Sequence, residues 1–432
     1  MLTVYIPEYI PAHNKGEEAL LLGIQKSLDG LDVGKIYLYS VAPEYDQLRY
    51  GHSVEVVTET IIPRARQSKL DKLIHVLSYV PGHLIYACLR KLSARFAGKV
   101  FSKGIYKVYN EMDFVLAAHD NSYAAMHNVL ILFCRFIGVP IAIYGTSIQS
   151  FAYKNKLMKF LFNFALERVD MATCRETISY EIIRQKLGVK NPNIHLTADK
   201  AFIVDSKPIE AGMEILRVHG VHPDKKPLIG ITVVHQTEVF RNSFKYISDI
   251  DQKLDYHWKR IADLVEHIVE TTGGHIIFLP HSVGPRDISD DRLAARGVFE
   301  RCACKESLTL IEKDYSVQEL KAVIGCCDFF VGERTHSTIG AACMHVPFLS
   351  VTFSEDYRTW GILGKTLDME EWIHDLGKDC LQEITDHFDR AWKQRDATRD
   401  RLQFAIIKAK AKTMENRRHL REMLDRKGLT GQ

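Results

Sequence analysis

Two successive runs of short apolar strands alternating with helical patterns, separated by a polar stretch rich in Gly and Pro, predict an α/β protein. Each run ends its strands on polar or charged tips, as at the carboxyl edge of a parallel sheet, which points to two Rossmann-like domains facing each other across a cleft. Length agrees, because 432 residues exceed one ordinary hydrophobic core. The boundaries read as an N-terminal domain at 1–205, a linker at 206–226, a C-terminal domain at 227–385, and helices with a tail at 386–432 that bridge back.

In the first domain, strands are expected at 2–6, 35–40, 54–58, 114–118, 141–144, 171–174 and 194–197. After the first strand, Pro11-Ala12-His13-Asn14-Lys15-Gly16-Glu17-Glu18 leads into an apolar helix. Asn14 can cap or turn, and Glu17 and Glu18 complement the helix dipole, so a structural reading suffices. A loop at the end of a parallel strand is equally a place for a ligand. The fourth strand ends in His119-Asp120-Asn121 and the sixth in Arg175-Glu176. An arginine at the start of a helix opposes the dipole unless it faces an anion, so Arg175 is a candidate anion anchor, with pairing to a local acid as the structural alternative. Asn14, Glu17, His119 and Asp120 are the candidate acceptor-binding residues.

Between the third and fourth strands lies a basic helical insert, about 64–104. Nine Lys or Arg face one acid, Asp71, between Arg64 and Lys103, a local +8 within a chain whose total is +3. Its apolar centre is broken by Pro81-Gly82, which suggests two helices joined by a turn. These could lie on an anionic membrane surface or beside a lipid-linked acceptor, or pack on the sheet with solvated ends.

The second domain restarts with strands expected at 228–234, 276–279, 308–311, 329–331 and 348–353. Pro280-His281-Ser282 follows the second of these, and His281 either lines the cleft or is merely solvated. The fourth runs into Gly332-Glu333-Arg334-Thr335-His336-Ser337, then small residues open a helix. Arg334 supplies a permanent planar charge that fits carboxylate or phosphate, and His336 titrates near neutral pH. Beyond 386 the pattern is helical and charged, with Phe388, Leu402, Phe404, Ile407, Leu420 and Leu424 among the expected buried positions.

At 46% hydrophobic and 26% charged the composition is that of an ordinary globular chain, which sets aside disordered and fibrous classes. Nine cysteines without a repeated framework read as reduced core thiols. Cys302 and Cys304 lack a second ligand pair, so no metal site is expected. No signal peptide or apolar run long enough to span a bilayer is apparent, so the expected compartment is the cytoplasm, with association to the inner face of the membrane through 64–104 left open. The basic run is interleaved with aliphatic rather than stacking aromatic residues, and no nucleic-acid partner is expected.

Three stretches carry a family resemblance: Asn14-Lys15-Gly16-Glu17-Glu18-Ala19; Cys174-Arg175-Glu176-Thr177-Ile178-Ser179 with Leu187-Gly188-Val189 and Thr197-Ala198-Asp199; and Glu333-Arg334-Thr335-His336-Ser337 through Ala341-Ala342 and Val346-Pro347. In this order and spacing the chain resembles the polysaccharide pyruvyl transferases. The resemblance implies a fold like the GT-B glycosyltransferases, phosphoenolpyruvate as donor substrate with no further cofactor, and a saccharide acceptor that receives pyruvate as a ketal on two hydroxyls. It puts Arg175, Arg334 and His336 at the donor site, with His281 and Ser337 as further donor-binding candidates and His336 and Arg334 as the catalytic pair. His119-Asp120-Asn121 stands where many members look glycine-rich, and the basic insert has no place in the family pattern. Two other readings remain: a GT-B glycosyltransferase using a nucleotide sugar, and a non-catalytic glycan-binding homologue. The helix after Ser337 lacks the acid that would hold a ribose or sugar hydroxyl, which lowers the first of these.

Overall fold

The computed structural model describes residues 1–430 except 52–53, 60–67, 121–124, 149–152, 154, 223–226, 236–243, 245, 354–355 and 377–380. The chain divides into two compact units: residues 1–12, 25–198 and 412–432 form the first, and 13–24 with 199–411 the second.

The first unit is built on a seven-stranded parallel sheet of β1 (Leu2–Ile6), β2 (Val33–Tyr39), β3 (Glu55–Val57), β4 (Phe114–Ala117), β5 (Ile141–Thr146), β6 (Met171–Cys174) and β7 (Ile194–Leu196), in the order β3-β2-β1-β4-β5-β6-β7. The second holds six parallel strands: β8 (Leu228–Thr232), β9 (His275–Phe278), β10 (Leu308–Leu310), β11 (Phe329–Gly332), β12 (Phe348–Thr352) and β13 (Ile373–Asp375), in the order β10-β9-β8-β11-β12-β13. Central strands such as β4, β5, β8 and β11 are buried along their whole length, as expected where helices cover both faces of a parallel sheet, and they read in sequence as unbroken apolar runs. Strand order reverses between β1 and β4 and again between β8 and β11, and in open α/β sheets the crevice at that reversal is where ligands bind.

Several expectations are corrected. Residues 206–226 are not a bare linker, because Ile209–Val218 is a helix that buries Gly212, Ile215 and Leu216 against helix Val317–Gly325. The surrounding Gly and Pro hid its period. The chain changes unit after Ala198 rather than near 205, and residues 13–24 belong with the second unit. Lys69–Leu92 is one helix rather than two: Pro81 faces solvent, while His83, Tyr86 and Ala87 on the opposite side are packed into the first core, which holds the helix through the proline. β13 escaped notice because a three-residue Ile-His-Asp strand has no apolar run to see. Near the C-terminus, Phe388, Leu402, Leu420 and Leu424 are buried as expected, but Phe404 and Ile407 are exposed on the long helix Arg395–Arg426.

Residues 395–411 of that helix count with the second unit and 412–426 with the first. Within the first unit its fully buried Asn416 accepts a hydrogen bond from the Thr197 hydroxyl at 2.8 Å and donates to the carbonyls of Ala198 and Thr413. Removing that amide leaves buried polar groups unmatched. Asn416→Ala is therefore expected to lower stability by about 1–3 kcal/mol, read as a reduced urea midpoint at unchanged m-value.

Candidate functional site

The Glu333–Ser337 loop leaves β11 at the switch point of the second sheet. Gly332 is required at its start, since a Cβ there would collide with the Thr338 hydroxyl. Glu333 turns inward: its carboxylate accepts hydrogen bonds from the backbone N–H of Val234, just past β8, at 2.8 Å and lies 3.2 Å from Nε2 of His257. It thus closes the gap where the two central strands diverge. Ser337, fully buried, donates its hydroxyl to the carbonyl of Arg334 at 2.7 Å and sits 2.9 Å from the Thr232 hydroxyl of β8. Ser337 holds the loop's shape through these two contacts.

Between these two buried anchors, Arg334 and His336 reach the surface, with side chains 14% and 18% exposed. Arg334 donates through Nε and one terminal nitrogen to both carboxylate oxygens of Asp291, at 3.1 and 2.6 Å. Asp291 is buried and also accepts from the backbone N–H of His235. This fixes the plane of the guanidinium. His336 stands with Nε2 3.6 Å from the buried carboxylate of Asp199. On its other side the ring lies against Gly16, where a Cβ would come within 2.6 Å of Nδ1.

Gly16 is there because the 13–16 segment pairs with the loop after β9. The backbone N–H of Lys15 donates to the carbonyl of His281, that of Val283 donates to the carbonyl of His13, and Asn14 and Ser282 form an antiparallel bridge. Lys15, wholly buried, sits 2.7 Å from Asp314 and 3.4 Å from Glu18, and Glu18 accepts from the N–H of Val317. Asn14 and Glu17, expected among the acceptor residues of the N-terminal domain, consequently belong to the second unit, on the same segment that touches the Arg334 and His336 loop. The Asn14 side chain accepts from the N–H of Gly16, so it shapes the turn beneath His336.

His281 is buried rather than solvated, and its Nδ1 has no hydrogen-bond partner. Burial, reinforced by the neighbouring His336, Arg334 and Lys15, pushes its pKa well below the ordinary value. It contributes a neutral imidazole. It also lines a cavity of about 20 Å³ with Ala19, Val317, His336 and Ser337, room for about one water and too small for a substrate. Among the described residues no group of three or more His, Cys, Asp or Glu side chains is arranged to hold a metal ion.

The remaining candidates lie in the first unit. Arg175 is 2% exposed, its guanidinium bonded to Asp120 at 2.6 Å and to the Ser147 hydroxyl at 2.9 Å. The second Asp120 oxygen accepts from the N–H of Ser147 at 3.0 Å. Asp120 pairs with Arg175, and together they fasten the loops after β4, β5 and β6. His119 is half-buried beside them. Asp199, Asp291, Glu333 and Lys15 were not singled out as site residues by the sequence. Asp199 and Lys15 do fall within the resembling stretches, whereas nothing in the sequence ties Asp291 to Arg334.

Two parallel α/β units, each with the strand order of a dinucleotide-type fold, define a GT-B-like architecture, and solved structures agree. The chain is similar over 99% of its length, and all of theirs, to HepE of Anabaena in complex with UDP and to UDP-GlcNAc 2-epimerase of Neisseria meningitidis, each with a TM-score of 0.57 and 10% identity. Sucrose-phosphate synthase of Thermosynechococcus elongatus matches over all of both chains with a TM-score of 0.58 and 8% identity. At these identities the likeness is one of fold. The chain belongs to the polysaccharide pyruvyl transferase family, which matches residues 14–355. It is also 20% identical over 238 residues to the amylovoran biosynthesis protein AmsJ of Erwinia amylovora, covering 55% of this chain and 54% of that protein, so the chain spans about half the length of this curated relative.

The depressed pKa of His281 has a consequence for stability. In the unfolded chain this histidine takes up a proton near its ordinary value of 6.5, but in the folded protein it does not until far lower pH. The unfolded state then binds more protons below pH 6.5, and stability falls as pH falls. Urea midpoints measured on both sides of pH 6.5 are expected to fall less steeply on acidification in His281→Gln than in the parent, and parallel slopes would contradict the assignment.

Proposed function

We propose that this chain transfers a pyruvyl group from phosphoenolpyruvate to two hydroxyls of a saccharide, forming a pyruvate ketal and releasing phosphate. The reading is supported chiefly by one feature of the second unit: Arg334 and His336 reach the surface side by side at the sheet's switch point, each backed by a buried carboxylate, in a chain of the pyruvyl transferase family. The donor carries a carboxylate and a phosphate and calls for a planar cation. Arg334, held in plane by Asp291, can present such a face at the start of helix Thr335–Cys343, whose N-terminus also favours an anion.

The chemistry needs a proton on the methylene carbon of the donor. C2 is then attacked by one hydroxyl, the C2–O bond to phosphate breaks, and the second hydroxyl closes the ketal. Of the two hydroxyl protons, one replaces that delivered to the methylene and the other leaves on phosphate. His336 is the group proposed to move the proton. Asp199 lies 3.6 Å from its Nε2, while Gly16 leaves room for the ring. His281, neutral and buried behind it, carries no competing charge. Arg175 is assigned a positioning role rather than that of a second anchor.

The purified chain is expected to release phosphate from phosphoenolpyruvate only when a suitable saccharide is present, with a new ketal methyl signal in the product. Release of UDP from a nucleotide sugar, with phosphoenolpyruvate untouched, would overturn the reading in favour of a glycosyltransferase. His336→Ala is expected to bind donor as the parent does and to lose about 10²–10⁴-fold in kcat. Gly16→Ala, which displaces the imidazole without removing it, should lower kcat in the same direction while the folded circular dichroism spectrum is kept. Undiminished turnover in His336→Ala would remove that residue from the mechanism.

A further inference from the structure

The first unit carries an apolar surface that the proposed reaction does not use. Helix Lys69–Leu92 packs on helices Ala94–Val100 and Ala125–Ile137, and the latter packs on helix Lys156–Leu166. Each buries one side in the core of the unit and turns large hydrophobic side chains outward. Leu84 is 60% exposed, Phe96 54%, and Leu157 and Phe160 66% and 63%. On helix Lys156–Leu166 the exposed positions 157, 160, 161 and 164 fall at i, i+3, i+4 and i+7, a complete stripe facing away from the buried Phe162, Ala165 and Leu166. Outward side chains of the first and third helices meet. Lys91, from the first helix, lies 5.8 Å from the ring centroid of the exposed Phe136 on the third.

Charge identifies the partner. In sequence these four helices carry nine Lys or Arg and a single acid, Asp71. Lys91, Arg95, Lys99, Arg135, Lys156 and Lys159 are all exposed. Long cationic side chains beside exposed aliphatic and aromatic groups suit a bilayer interface, where apolar groups enter the acyl boundary and the cations rise to lipid phosphates. Each Lys or Arg near an anionic surface adds to the attraction. A second copy of the chain suits the face poorly, since self-pairing would oppose one cationic surface to another. Among the described residues no helix is long and apolar enough to cross a membrane, so contact would be from one side.

We propose that the outer faces of these four helices form a monotopic docking surface for an anionic lipid bilayer, extending the basic insert to helices Ala125–Ile137 and Lys156–Leu166. The proposal is independent of the pyruvyl reading, because every residue it uses lies in the first unit and none is in the Arg334 and His336 site.

Sedimentation of the full chain with vesicles tests it. Binding is expected to phosphatidylcholine vesicles containing phosphatidylglycerol, to be weak with phosphatidylcholine alone, and to fall as salt rises. The triple variant L84E/F96E/F160E should reduce the bound fraction at least about tenfold with an unchanged circular dichroism spectrum. R95E/K99E/K159E should lose binding to anionic vesicles in the same way while leaving the apolar side chains intact. The proposal is overturned if the parent stays in the supernatant with anionic vesicles at low salt, or if both triple variants bind as the parent does. It is equally overturned if the parent forms a dimer that L84E/F96E/F160E abolishes, which would make the face a contact between copies.

Discussion

The short backbone pairing of residues 13–16 with 281–283, fastened by the buried Lys15 and Asp314, is the interaction on which the candidate site depends. Lys15 is wholly buried, and a buried ammonium without a carboxylate would cost several kcal/mol, so its position is set by Asp314 and Glu18. Its backbone N–H is meanwhile committed to His281. Together these fix the first turn of helix Lys15–Leu28, which places Gly16 against His336 and brings Glu18 to the N-terminus of helix Val317–Gly325. A segment that directly follows the first strand of one unit thereby becomes part of the other.

That arrangement explains what could and could not be read from the amino acids. Parallel strands buried on both faces leave largely apolar runs, so β4, β5, β8 and β11 stand out and the two α/β units follow. A loop of charged residues at the end of such a run marks a ligand edge, and Arg334 and His336 were legible on that ground. Their carboxylate partners were not. Asp291 meets Arg334 because the start of helix Asp291–Arg301 is brought back to the carboxyl edge of β11, and no local period records this. The same limit hid the unit exchange of 13–24, which is decided by hydrogen bonds to a loop far along the chain.

Arg175 and Arg334 show how burial separates residues that look alike in sequence. Both follow a buried strand and precede a helix, and both pair with an aspartate at 2.6 Å. Arg175 is enclosed, with Ser147 adding a further bond, so its charge is spent within the protein and holds three loops at the edge of the first sheet. Arg334 is partly open, and Asp291 orients its guanidinium instead of enclosing it. The Arg175 guanidinium is closed off from solvent, whereas the Arg334 side chain keeps 14% of its surface exposed. Both sit between a buried strand and a helix; the difference lies in which neighbours fold over the arginine.

Within the site, the buried groups divide the electrostatic work. Glu333 joins β8 to β11 through Val234 and His257. His281 is kept neutral by burial and by the charged groups around it, so it adds no positive charge beside the ring of His336. Asp199, tied on its other oxygen to the N–H of Ala201, faces Nε2 of that ring. A ring with a carboxylate at one nitrogen and the glycine backbone of a fixed helix beside the other has little freedom to turn. Preorganisation of this kind would suit the proton transfer proposed for His336, in which the proton has to be delivered along one direction.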